Sequence, residues 1–165
     1  MINIGMTESS KSSLTNVQSG DIQPNGVDLR VGKIFYIYTG TFTLDEDIKV
    51  HRGSVEMQPD PDGYLELRVG SYEVIMENNI SVAEGEAGFV ISRSTLIRNG
   101  VFLTSGLYDS GYNGAMACVM HVRVGSMRIK PGTRIGQYIS FKAETSHRYD
   151  GSYGIGSSHD AKYGV

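Results

Sequence analysis

The chain holds a single cysteine, Cys118, which excludes an intrachain disulfide and a cysteine-based zinc site. A lone thiol fits a reducing compartment. No apolar run is longer than six residues, far short of the roughly 18 needed to cross a bilayer as a helix. No basic run exceeds two residues and the net charge is −3, which argues against coating duplex nucleic acid by charge. The opening residues, MINIGMTESSKSSLTNVQSGD, show neither a basic n-region nor an apolar h-region. The expectation is a soluble, intracellular, cytoplasmic protein with neither membrane nor nucleic acid as partner. Prolines number only 4, whereas glycines number 21. Interior glycines cost a helix about 1 kcal/mol each, so a helical bundle is a poor fit. Short strands joined by turns use glycine in this way.

The 165 residues suit one domain with its own core. Val27-Asp28-Leu29-Arg30-Val31 alternates apolar and charged residues, predicting a strand with Asp28 pointing away from the core. Lys33 to Thr43, Tyr64 to Val69, Tyr72 to Met76 and Ala87 to Ile91 read as further strands. Asp45 to Lys49 reads as a charged loop, and Pro59-Asp60-Pro61-Asp62-Gly63 as a turn. Met116, Cys118, Met120, Val122 and Val124 share one face of another strand. Ser94 to Asn99 is long enough for one helical turn. Ten or more short strands predict a barrel, sandwich or jelly roll. The expected division is a β domain over 1–144, with an N-terminal arm at 1–20, and a glycine-rich arm over 145–165. That tail has hardly an aliphatic residue, so it reads as disordered or as a flap that orders on a ligand or a neighbouring subunit.

Chemistry concentrates between Arg93 and Gly114, RSTLIRNGVFLTSGLYDSGYNG. Two cations (Arg93, Arg98), two hydroxyls (Ser94, Thr95), one carboxylate (Asp109) and one aromatic (Tyr112) alternate with glycines. Such a set suits a ligand with phosphates, a flat base and a bond to hydrolyse. The same residues also suit an ordinary polar-edged hairpin. Cys118 reads as a buried hydrophobe and His121 as structural.

Five segments, in order, resemble the motifs of the trimeric dUTPase / dCTP deaminase superfamily. They are Ile22 to Gly32 (IQPNGVDLRVG), Glu84 to Leu96 (EGEAGFVISRSTL), Gly106 to Gly114 (GLYDSGYNG), Lys130 to Gln137 (KPGTRIGQ) and Arg148 to Gly154 (RYDGSYG). The resemblance implies a distorted jelly-roll β-barrel, a homotrimer with sites between subunits, and Mg²⁺ bound mainly through a nucleotide's phosphates. It implies that Asp109 activates the water attacking the α-phosphorus and that Tyr112 stacks under the deoxyribose. The backbone at Ser105 and Gly106 would read the pyrimidine edge. Arg93, Ser94 and Gln137 would hold phosphates, with Thr95 and Arg98 beside them. Asp28 would reach the metal through water, Arg148 the terminal phosphate, and Tyr153 would cover the base.

Deaminases of this superfamily carry a glutamate five residues past the glycine that ends the third motif. Counting from Gly114 gives Val119, which is dUTPase-like. Hydrolysis of dUTP to dUMP and pyrophosphate is therefore the expected reaction. Arg98 and the ending Asp160-Ala161-Lys162-Tyr163-Gly164 are deaminase-like, so dCTP deamination, alone or coupled to hydrolysis, stays open, with His121 the nearby water-activating candidate. An inactive trimeric structural or regulatory module is the third reading.

Overall fold

The structure, a computed structural model, describes residues 10–156. In chain order the strands are β1 (Ser13–Leu14), β2 (Ile22–Gln23), β3 (Gly26–Ile37), β4 (Thr43–Leu44), β5 (Lys49–Val50), β6 (Ser54–Glu56), β7 (Leu65–Ser81), β8 (Glu86–Ser92), β9 (Val101–Thr104), β10 (Asn113–Ile129) and β11 (Arg134–Lys142). One α-helix, α1, spans Ser94–Arg98, and a 3₁₀ turn spans Ser19–Asp21. The fold is the expected all-β jelly-roll barrel. Its main sheet runs β8-β11-β3-β7-β10-β9 with antiparallel neighbours throughout. The deaminase-like ending from Asp160 to Gly164 lies outside the described residues.

Three strands are long rather than short: β3 has 12 residues, and β7 and β10 have 17 each. Glycine and register shifts let these strands bend without ending. At Gly32 the register of β3 against β7 slips between Val31 and Lys33. A Cβ at Gly32 would meet the Ile75 carbonyl at 3.1 Å and the Glu77 amide at 3.2 Å, so a side chain there would press the neighbouring strand's backbone outward and glycine favours this close crossing. In β10 a bulge between Val122 and Ser126 rotates the strand. It corrects one expectation: Val124 leaves the apolar row and is 68% exposed.

Both ends of the sheet meet at a seam between β8 and β9. Serine hydroxyls supply much of the bonding there. The Val90 amide donates to Ser105 Oγ (2.9 Å), and the Leu103 amide donates to Ser92 Oγ (2.7 Å). One backbone bridge, Gly88 with Tyr108, extends the seam. Inside lie Leu29, Val31, Ile34, Val74, Met116, Met120 and Ile135, all buried. Cys118 is buried with them, and burial pushes its thiol up to about 12. His121 stacks on Phe102 (centroids 4.9 Å) and bonds Ser71 Oγ and Thr104 Oγ1, which fits its structural reading.

Between Glu144 and Gly156, the last described residue, the chain carries no strand, yet it packs on its own barrel. The Tyr149 amide donates to the Ser110 carbonyl (2.8 Å), and the Ile155 amide to the Asn113 carbonyl (3.0 Å). Tyr149 sits edge-on to Tyr112 with centroids 5.3 Å apart and joins the rim of the core. A tail with hardly an aliphatic residue thus gains its anchorage from an aromatic ring and backbone bonds. Among the described residues no helix is long and apolar enough to cross a membrane.

Candidate functional site

The residues singled out by sequence fall into two groups. The first is built on β3 and β11, paired so that Gln137 lies opposite Asp28. Alternation turns Asp28 away from Val27 and Leu29, as expected, but not into solvent. It is fully buried. Its Oδ1 accepts from Gln137 Nε2 (3.0 Å), and its Oδ2 accepts from Arg134 Nη1 (3.2 Å) and Gln23 Nε2 (3.4 Å). Arg93 Nε lies 3.5 Å from the same Oδ2. Two guanidiniums around one carboxylate leave a surplus positive charge. Their side chains remain 31% and 34% exposed, so this charge can meet an anion. Arg134 was missed by sequence reasoning. Its signal was a cation three residues before Gln137 in KPGTRIGQ, on the strand already assigned to phosphate.

Asp28 was also expected to reach a metal through water. Both its oxygens are engaged by protein donors, an arrangement that suits an anchor for cations rather than a metal ligand. Among the described residues no group of three or more His, Cys, Asp or Glu could hold a metal ion.

Arg93 precedes α1 and anchors it: its carbonyl accepts from the Leu96 and Ile97 amides. Ser94 is exposed in the first turn. Thr95 lines a different groove with Leu96, Val101 and Met127, and Arg98 is exposed at the helix end. Among the described residues no contact brings these two to the carboxylate cluster.

The second group is the hairpin from Gly106 to Gly114 with the tail across it. Asp109 is exposed and shares a cavity of about 480 Å³ with Ser110, Arg148 and Tyr149. Gly111 has φ +87°, and a Cβ there would meet Arg148 Nε at 3.1 Å. Its glycine serves both the turn and the passage of the arginine. Tyr112 is buried, and its hydroxyl donates to the Ala115 carbonyl (2.9 Å). Tyr112, Gly106 and Tyr153 line an adjoining cavity of about 710 Å³, with Ile75, Ala117 and Glu73. That size falls in the roughly 300–1,000 Å³ range of small-molecule pockets. The side chain of Ser105 is spent on the β8 seam, leaving Gly106 to line the cavity.

Neither cavity is lined by Arg93, Arg134 or Gln137. The arrangement therefore places a cluster of partly exposed cations in one place, and an aromatic slot with an exposed carboxylate and an exposed cation in another.

The fold is shared by solved structures. The 2′-deoxycytidine 5′-triphosphate deaminase of Agrobacterium tumefaciens aligns with a TM-score of 0.61 at 17% identity, covering 79% of this chain and 43% of that one. The chain thus spans less than half the length of that deaminase. A dUTPase of Staphylococcus bacteriophage 80alpha, solved with dUPNHPP, aligns with a TM-score of 0.51 at 14% identity, covering 90% of this chain and 92% of the other. Sequence relatives are nearer. A probable deoxyuridine 5′-triphosphate nucleotidohydrolase of Aeropyrum pernix is 33% identical over 138 residues, covering 82% of this chain and 86% of that one. The deoxyuridine 5′-triphosphate nucleotidohydrolase of Methanocaldococcus jannaschii is 31% identical over 147 residues, covering 87% and 94%. The dCTP deaminase-like family model matches residues 5–143, and the chain belongs to that family.

Proposed function

We propose that the protein hydrolyses dUTP to dUMP and pyrophosphate. The observation that carries this reading is the meeting of Gly106, Tyr112 and Tyr153 in one cavity, beside a second that joins Asp109 to Arg148. The nucleotidohydrolase relatives from archaea support the choice of substrate. Tyr112 holds the sugar against its ring, and the Gly106 backbone faces the base. Asp109 takes the proton from the water that attacks the α-phosphorus, while pyrophosphate leaves. Arg93, Arg134 and Gln137 hold the phosphates, fixed in turn by Asp28. Ser94 sits next to this grip. Arg148 reaches the terminal phosphate, and Tyr153 covers the base. Phosphoryl transfer relies mainly on such positioning and charge neutralisation.

In this proposal Mg²⁺ arrives on the triphosphate's own oxygens, since Asp28 is occupied by protein donors. The protein works as a homotrimer. The separation of the cationic cluster from the Asp109 cavity within one chain supports sites completed by a neighbouring subunit. Deamination is the weaker reading. Val119 provides no carboxylate, and both ring nitrogens of His121 are engaged by hydroxyls.

The test is incubation with dUTP and dCTP separately, measuring pyrophosphate and ammonia. Pyrophosphate from dUTP is expected. Ammonia from dCTP would support deamination. No product, with no thermal shift from a non-hydrolysable dUTP analogue, would leave the structural-module reading.

A further inference from the structure

The large hairpin cavity contains a carboxylate that the reaction above does not use. Glu73 lies on β7, flanked by β3 and β10, with Phe35 and Val119 as its cross-strand neighbours. The face it shares is otherwise small and apolar: Ile75, Ala115 and Ala117 pack beside Phe35. Ser54 Oγ donates to Glu73 Oε2 (3.2 Å), which orients the carboxylate from β6. Glu73 is half-buried and lines the same cavity as Tyr112, Gly106 and Tyr153. The other charged groups there, Lys49 and Asp150, are exposed, one on the short β5 and one on the tail. Glu73 alone is set on a central strand, where its position is fixed by the ladder on both sides.

We propose that Glu73 is a specificity-determining residue, accepting a hydrogen bond from N3–H of a uracil ring held in this cavity. The inference rests on the dUTP reading. A carboxylate only accepts. Uracil presents a donor at N3, whereas cytosine presents a lone pair there. Cytosine in the same pose would set its N3 lone pair against the carboxylate in a partly dry slot, and would offer its 4-amino N–H only by shifting out of that pose. The aromatic walls bind either ring; the carboxylate separates them.

The experiment compares wild type, Glu73→Gln and Ser54→Ala, using dUTP and dCTP in turnover and their α,β-imido analogues in calorimetric binding. Exchanging the charged acceptor for a neutral amide, which still accepts through its Oε1 but can also turn its NH2 toward the ring, is expected to lower kcat/KM for dUTP about 5–10-fold in Glu73→Gln. Activity toward dCTP should hold or rise, so the ratio collapses. Ser54→Ala should shift the ratio the same way by less, because the carboxylate loses only its orienting donor. Dissociation constants of the analogues should follow the same pattern, a readout independent of hydrolysis. Equal losses on both nucleotides would assign Glu73 a structural role and overturn the proposal. Ammonia release from dCTP that vanishes in Glu73→Gln would overturn it in favour of a general base. Wild type that fails to hydrolyse dUTP, yet binds the two analogues with a ratio that collapses in Glu73→Gln, would refute the hydrolase reading and keep Glu73. Wild type that binds neither analogue would refute both.

Discussion

Gln137 and Asp28 face each other across the β3–β11 ladder, amide to carboxylate at 3.0 Å, with the carboxylate fully buried. Two arginines converge on that carboxylate, so its loss would leave them repelling one another. Removing one partner of a buried pair costs roughly 3–5 kcal/mol, and the partial exposure of both guanidiniums places this site at the low end. Asp28→Ala is expected to lower the melting temperature by about 6–12 °C. It should also weaken triphosphate binding. A melting temperature within 2 °C of wild type, in a scan resolving about half a degree, would show that Asp28 is no anchor.

Asp109 stands differently. It is exposed and makes no described ion pair, so Asp109→Asn should melt with wild type. Loss of the group that takes the proton should cut kcat by about 10²–10⁴-fold. Binding of the imido analogue should persist. Full turnover by this variant, followed as pyrophosphate release, would end the assignment of Asp109.

Gly111→Ala tests the crossing of hairpin and tail. Its φ of +87° strains any L side chain, and the new methyl would press on Arg148. A modest loss of stability, about 1 kcal/mol, is expected. The larger effect should fall on KM for the triphosphate, as Arg148 is displaced. Arg148→Ala should raise KM similarly without the stability loss. Unchanged kinetics in both variants would detach the tail from the site.

Glu86 ties the segment before β1 to the barrel. Its Oε2 accepts from Ser10 Oγ (2.8 Å) and Ser12 Oγ (2.5 Å), and its Oε1 from the Lys11 amide (2.9 Å). Burial pushes its carboxyl upward, but these donors outweigh burial and leave it below its ordinary value of 4.5. A group with a depressed folded pKa contributes stability above its unfolded pKa and loses it as pH falls through the folded one. The contribution should be intact at neutral pH and fade below about pH 4.5. Asp21, held by Arg30 against its own burial, adds to the same acid slope. In urea melts from pH 7 to pH 3, Glu86→Gln should be less stable at pH 7 and lose less on acidification. Parallel curves for variant and wild type would disprove the latch.

Much of this architecture was legible from periodicity. The alternation at Val27 to Val31 and Met116 to Val122 located core faces, because a buried face must repeat every second residue. Strand length was not legible. Gly32 and Gly70 look like stops, whereas in the barrel they are places where another backbone passes or the strand bends. Val124 obeyed the alternation in sequence and left it in space, since a bulge is set by the partner strand rather than by the residue itself. The burial of Asp28 was hidden for a related reason. Its donors come from positions 23, 93, 134 and 137, which only the fold assembles. Glu73 carried no motif; its placement beside Val119 is a matter of register between two long strands. The tail looked unable to join the core, yet among its described residues the ring of Tyr149 packs against it.

The seam closed by Ser92 and Ser105 gives the barrel a direction of opening. Ladder amides are released only when neighbouring bonds break together, whereas an amide held by one hydroxyl can part alone. The Val90 and Leu103 amides should therefore exchange with deuterium ahead of those in the β7–β10 ladder. Because β8 runs straight into Arg93 and β9 leads to the Asp109 hairpin, the line along which the barrel yields first also lies between the two halves of its chemistry. Breathing there would alter the spacing of cation and carboxylate while leaving the rest of the wall intact.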